Sequence, residues 1–366
     1  MYPLLGFSLL GFLVSRAVLG APASSDCTGT ISSLNDVAAA VACTTVNINS
    51  FTVPAGQTFN LKLLDGTTVN LNGDIHFGVQ NWAGPLFMLT LSAVNGNGHT
   101  FDGSGPSYWD GLGGNGGVVK PAPMMKISMS GTYKNVKVLN SPARTYSVSN
   151  PAPLTMTGLT IDNSLGDQPN SNSNGIPAGH NTDGFDCSTH NLVISNSVIH
   201  NQDDCLAINK GSNITFTGNS CTGGHGISVG SISSDAVVED IFITNNVITN
   251  NDQALRIKTK SDATSASVSG VTYSGNTATG IKRFGVIIDQ VRRSATIGTP
   301  GNGVKISGIN FSGSTSSISV NSGAQRVAVN CGVGSCTGTW DWSKLKVSGG
   351  TAGKITNFNG ITGFSQ

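Results

Sequence analysis

Leu192–Ser197 reads LVISNS, and 22 residues later Ile214–Asn219 reads ITFTGN. Apolar residues alternate with small polar ones, and each stretch closes on Asn or Gly followed by Asn or Ser. The pattern also begins at Val136 (VKVLNS), Leu159 (LTIDNS), Ile241 (IFITNN), Val271 (VTYSGN) and Ile309 (INFSGS), at intervals of 23, 33, 22, 27, 30 and 38 residues along the chain. A period of two marks strands with one buried face. A second short strand follows in each repeat: Gly184–Asp186, Cys205–Ile208, Gly226–Val229, Ala254–Ile257 and Gly285–Ile288. Short strands recurring near every 22 residues, with insertions in the longer intervals, predict an all-β right-handed parallel β-helix. It should form a single domain of about ten coils over residues 27–366. An antiparallel sandwich also has many short strands, but it would not hold one sub-motif at this spacing. The sixth positions, Ser141, Ser164, Ser197, Asn219, Asn246, Asn276 and Ser314, are expected to stack as a hydrogen-bonded ladder. Ser33–Val41, with its run of Ala, is the expected N-terminal capping helix.

Composition agrees. Of 366 residues, 48 are Gly and 35 are Asn, and only 11 % are charged, where about a quarter is usual. Hydrophobic content of 38 % at net charge +1 excludes a disordered chain, and the absence of a basic run excludes a nucleic-acid binder. Residues 1–20 read as a cleaved secretory signal. The apolar run Leu4–Leu13 precedes small residues at Val18-Leu19-Gly20 and is too short to span a bilayer. A soluble, extracellular, monomeric product is expected, and export makes disulfides expected too. Cys331 and Cys336 flank a tight loop, Cys27 with Cys43 would staple the mature N-terminus, and Cys205 with Cys221 would tie one turn. Cys187 remains as the free thiol. No cysteine spacing resembles a zinc site. Asn213-Ile214-Thr215 and Asn310-Phe311-Ser312 are acceptor sequons for N-glycans.

Because charge is scarce, its clusters stand out. Asn181-Thr182-Asp183, Gln202-Asp203-Asp204 and Gly224-His225-Gly226 fall about one coil apart, and Arg256-Ile257-Lys258 follows on the next turn with both cations on one face. Stacked coils should bring Asp183, Asp203, Asp204, His225, Arg256 and Lys258 into one patch. Crowded carboxylates hold their protons unequally, which supplies an acid and a base for glycoside cleavage. The two cations would clamp an anionic sugar.

These four motifs, in this order and spacing, resemble the signature of the polygalacturonases, glycoside hydrolase family 28, with the likeness running from about Cys27 to Lys346 and strongest to fungal endo-acting members. The resemblance implies inverting hydrolysis of α-1,4 bonds in polygalacturonate or pectin, with no metal or cofactor. It implies Asp203 as general acid, Asp183 and Asp204 as holders of the attacking water, and His225 as the group that orients the acid. Arg256 and Lys258 would bind a galacturonate carboxylate, and Asn181 and Gln202 would support the aspartates at the substrate-binding face. Phe284 stands where the family usually has Tyr, so stacking on sugar survives without the hydroxyl. The cysteine pair common near the C-terminus of fungal members is missing after Cys336. Three rivals share much of this pattern: an exo-acting hydrolase, a calcium-dependent pectate lyase and a non-catalytic pectin-binding β-helix.

Overall fold

The computed structural model describes residues 25–90, 93–291 and 298–366. The expected signal segment, residues 1–20, lies outside the described residues. No helix among the described residues is long and apolar enough to cross a membrane.

The chain winds as a parallel β-helix. Each strand pairs in parallel with its counterparts one coil before and one coil after. One sheet, which carries the candidate site, stacks Phe59–Lys62, Phe87–Thr90, Met125–Ser128 and Tyr146–Val148. It continues through the opening halves of Phe185–Ser195 and Asp204–Thr217 to Gly226–Ile232, Gln253–Thr259 and Phe284–Asp289. A second sheet carries the repeated motif through Leu154–Thr157, Val237–Thr244, Ala266–Ser274 and Val304–Phe311. A third, narrower sheet includes Lys137–Leu139, Thr160–Asp162, Val198–His200, Ser220–Thr222 and Val247–Thr249. The core is a set of columns running along the helix axis. Leu192, Ile214, Ile241, Val271 and Ile309 stack in one, all fully buried. Each such side chain contributes about 1.5–3 kcal/mol relative to exposure.

The structure corrects the register of the first two motif copies. Lys137–Leu139 and Thr160–Asp162 belong to the third sheet, so VKVLNS and LTIDNS lie one strand ahead of the other five copies. Their true counterparts are Gly131–Lys134 and Leu154–Thr157. The bend that follows explains the Asn/Gly position. Asn135, Gly158, Asn196, Gly218, Asn245, Gly275 and Gly313 all have φ between 51° and 66°, a left-handed turn that Gly and Asn tolerate best. The ladder is real over part of its expected length. Ser197 N donates to Asn219 Oδ1 (2.9 Å), Asn219 N to Asn246 Oδ1 (2.9 Å) and Asn246 N to Asn276 Oδ1 (3.1 Å). Ser316 supplies the next rung through its hydroxyl, while Ser314 is exposed at the bend. Ser164 opens a 3-10 turn, and apolar Leu159 and Val136 fill the ladder's place in the earlier coils.

The cap is shorter than expected: a 3-10 turn at Leu34–Asp36 and four α-helical residues, Val37–Ala40. It sits hard against the first strand, where a Cβ on Gly29 would meet Ala40 Cα at 2.6 Å. The disulfides are Cys27–Cys43, Cys205–Cys221 and Cys331–Cys336. Cys187 is a buried thiol whose ionisation burial opposes, which leaves it inert. Of the two sequons, Asn213 is exposed at a left-handed residue, whereas Asn310 lies half-buried inside the strand Val304–Phe311 and its Oδ1 accepts the Asp341 amide (2.8 Å).

Candidate active site

Side chains alternate across a strand, so the outward positions of the site-bearing sheet form columns along the helix. Ser147, Asp186, Ala207, Ser228 and Arg256 are one such column, each residue paired with the next. Lys258 lies two residues beyond Arg256 on the same face. Asp183 and Asp204 enter at the neighbouring corner, where the Gly184 amide bonds to the Asp204 carbonyl (2.9 Å). His225 stacks on Asp203, its amide donating to the Asp203 carbonyl at 2.8 Å. The glycines around it are a packing requirement: a Cβ on Gly224 would run into the Asp203 carbonyl, and one on Gly226 into that of Gln253.

The hydrogen bonds assign each carboxylate a distinct environment. Asp203 is held on both oxygens: Oδ2 accepts from Asn181 Nδ2 (2.9 Å), while Oδ1 accepts from the Asp204 amide (2.7 Å) and faces His225 Nδ1 (2.9 Å). Asp204 Oδ1 accepts from the Ser228 hydroxyl (2.7 Å), and Oδ2 pairs with the Lys258 ammonium. Asp183 is buried beside them. Burial first, then the charges of Asp203, Asp186 and Asp204, push its carboxyl well above the usual range. Burial also works to raise Asp203, but the hydrogen bond and charge of His225, with Lys258 and the Asp204 amide, outweigh it and hold that carboxyl low. For His225, burial opposes the charged ring, and the bond and charge of Asp203 overcome it, so the imidazole stays protonated to higher pH. The His225–Asp203 pair and Asp183 therefore each retain a proton that an isolated group would have lost.

All six chemistry-bearing residues expected from sequence converge here. Arg256 is buried, with its Nε lacking a partner. Phe284 is half-buried and pairs with Gln253, one coil beyond His225. Asn181 does support Asp203, and its Oδ1 in turn accepts the Gly114 amide (3.0 Å). Gln202 supports the aspartates indirectly, through the loop beside them. Its Oε1 accepts from Thr182 Oγ1, and its Nε2 donates to Asn163 O and Asp167 Oδ1, all at 2.8 Å. Its carboxamide is spent on positioning the loop that carries Thr182 and Asp183.

Four participants escaped the sequence reading. Ser228 and Asp186 sit in the outward column, and strand alternation would have found both. Burial pushes Asp186 up to about 6, against Arg144 and with the charges of Asp204 and Asp203. The Asp167–His200 pair (2.6 Å) joins two distant segments, and no spacing signals it. A concavity of about 470 Å³ opens beside His225, lined by Gly179, His180, His200, Gln202, Asp252 and Lys282. Asp203, Asp204 and His225 also bring possible ligand atoms within 4.8 Å of one another. The positive charge they would ask of a cation is already supplied by Lys258 on Asp204 and by the His225 ring on Asp203.

The model of the glycosyl hydrolases family 28 matches residues 43–365. The chain belongs to this family. A probable endopolygalacturonase of Aspergillus fumigatus is 38 % identical over 343 residues, covering 90 % of this chain and 88 % of that protein. Endopolygalacturonase I of Aspergillus aculeatus is 40 % identical over 324 residues, covering 86 % and 82 %. Among solved structures, endopolygalacturonase I from Stereum purpureum, complexed with two galacturonates, superposes with a TM-score of 0.84 at 46 % identity, covering 89 % of this chain and 96 % of that one.

Proposed function

We propose that the chain is a secreted, monomeric, endo-acting hydrolase that cuts α-1,4-galacturonosyl bonds in polygalacturonate with inversion. The observation that carries this reading is the convergence of Asp183, Asp203 and Asp204 with His225, Arg256 and Lys258 on the outer face of one sheet. The relatives' names, and the galacturonates in the Stereum purpureum complex, supply the substrate. The sheet continues on both sides of the cluster, through Met125–Ser128 on one and Phe284–Asp289 on the other. A polymer thereby has a bed on each side of the cut, as mid-chain cleavage requires.

Mechanistically, His225 and Asp203 share one exchangeable proton, and Asp203 is the carboxyl through which it reaches the leaving oxygen. Asp183, once ionised, takes a proton from the attacking water, with Asp204 holding that water from its bonds to Ser228 and Lys258. The glycosidic bond breaks as the water oxygen bonds to the anomeric carbon. The proton taken up by Asp183 balances the one delivered, so the resting charge is restored through solvent. Arg256, buried with an unused Nε, and Lys258 neutralise the uronate beside the bond. Sizing the products from de-esterified polygalacturonate tests the endo assignment: mixed oligomers should appear first, and monomer from the start would refute it. Turnover should survive chelator and give no absorbance of an unsaturated product, which separates hydrolysis from elimination.

One observation favours a second reading. The low Asp203 carboxyl and raised Asp183 of the free protein suit Asp183 as acid and Asp203 as base. An aryl galacturonide whose leaving group needs no protonation distinguishes them, because it restores turnover to the variant lacking the acid but not to the one lacking the base.

A further inference from the structure

The floor on which the cluster stands is asymmetric in charge. Followed toward the C-terminus, the Arg256 column continues as Ile287 and Ala328, both buried and apolar. Followed toward the N-terminus, it runs through Asp186 and Ser147 to Lys126, each paired with the next. Lys126 is the exposed residue of Met125–Ser128, between two buried neighbours, so its ammonium stands on the same outer face as the carboxylates. Ion pairs among the described residues leave it unused. Arg144 joins it from the corner just before Tyr146–Val148. The Thr145 amide next to it donates to the Asp183 carbonyl (2.8 Å), so Arg144 lies one coil before Asp183. Its guanidinium is half exposed, with Nε 3.6 Å from Asp186 Oδ2.

We infer that Arg144 and Lys126 form a distal anion subsite that binds uronate carboxylates of the polymer remote from the bond being cut. This rests on the polygalacturonate reading above. A polyuronate presents one carboxylate per sugar, and a chain lying along the floor meets no other cation of the outward column between Arg256 and Lys126. Neighbouring coils are about 4.8 Å apart, so Lys126 lies two steps, about 10 Å, beyond Asp186 and about 24 Å from Arg256. Asp186 lies between the two sets of charges. Arg144 touches Asp186 only through Nε at 3.6 Å, and its half-exposed guanidinium keeps its outer edge open to the substrate. The subsite rewards chain length: an oligomer of three sugars that engages Arg256 stops short of Lys126, while the polymer reaches both.

The test compares KM for polygalacturonate with KM for trigalacturonate in the full mature chain. Lys126→Gln should raise the polymer-to-trimer KM ratio about threefold, as loss of one exposed charge contact does. Arg144→Gln should raise it similarly, Arg144→Lys should largely restore it, and the effect should shrink at high salt. Lys134→Gln, an exposed lysine on the second sheet, should leave the ratio at the wild-type value. Ratios unchanged in both glutamine variants, or equally changed in Lys134→Gln, overturn the subsite while leaving the hydrolase reading intact. A wild-type protein that releases no reducing ends from polygalacturonate overturns both.

Discussion

At the level of single residues, three aspartates of identical chemistry are separated only by their partners. Asp203 has the His225 imidazole, Asp204 an ammonium and a hydroxyl, and Asp183 burial and neighbouring negative charges that Lys258 offsets only in part. Asp183→Asn should therefore have two opposite consequences. Turnover should fall by about 10²–10⁴-fold, the usual contribution of a positioned acid or base. Thermal stability at neutral pH should rise, because a buried acid whose ionisation its surroundings oppose has been removed. Parallel melts and rate measurements check this, and a lower melting temperature would show that the Asp183 carboxylate is stabilising. The pH–rate profile should be bell-shaped. Its acid limb reports loss of the Asp183 proton, and its alkaline limb reports loss of the proton shared by His225 and Asp203. With His225 replaced by Gln the alkaline limb should move, and an unmoved limb would assign it elsewhere.

Strands and bends made most of the fold legible, and they also set where reading stopped. The alternation of Leu192–Ser197 and Ile214–Asn219 announces a buried face, and the left-handed bend explains why Asn or Gly must follow. Two copies slipped onto the neighbouring sheet because Lys137–Leu139 has the same period of two as Gly131–Lys134, and alternation carries no label for which sheet a strand joins. The carboxylate cluster was readable because its members are one coil apart. The Asp167–His200–Gln202 contacts were not, since the loop containing Asp167 has no counterpart in the repeat. Asn246 is the central rung of the ladder: its Oδ1 serves the Asn219 amide, and its Nδ2 donates to the Phe216 carbonyl and to Asn276 Oδ1, both at 2.9 Å. Asn246→Ala leaves several buried groups unpaired and should cost on the order of 3 kcal/mol. Urea unfolding checks this, and a loss under about 0.5 kcal/mol would mean that water replaces the rung.

Across the whole molecule, the shifted groups give the fold an acidic preference. Asp183, Asp186, His200 and His225 all bind their protons more tightly in the folded state. Each such group contributes stability that is fully present below its unfolded value and lost as pH rises through its folded one. For Asp186 that window runs from 3.8 to about 6, and for the two histidines it lies above 6.5. Asp203, Asp167 and Asp74 are shifted downward, so their contribution is present above 3.8 and lost only as pH falls through lower values. The melting temperature should therefore peak on the acid side, near pH 4–5, and decline toward pH 8. A maximum above pH 7 would show that these protons are not retained on folding.

The most direct test of the whole reading is the release of reducing ends from de-esterified polygalacturonate, with chelator present, by the wild-type protein and by Asp203→Asn. The wild type should cut at once into mixed oligomers, and the variant, which keeps the shape of the side chain but has no proton to deliver, should be slower by about 10³-fold or more. A variant that keeps the wild-type rate would contradict the assignment of this cluster as the catalytic centre.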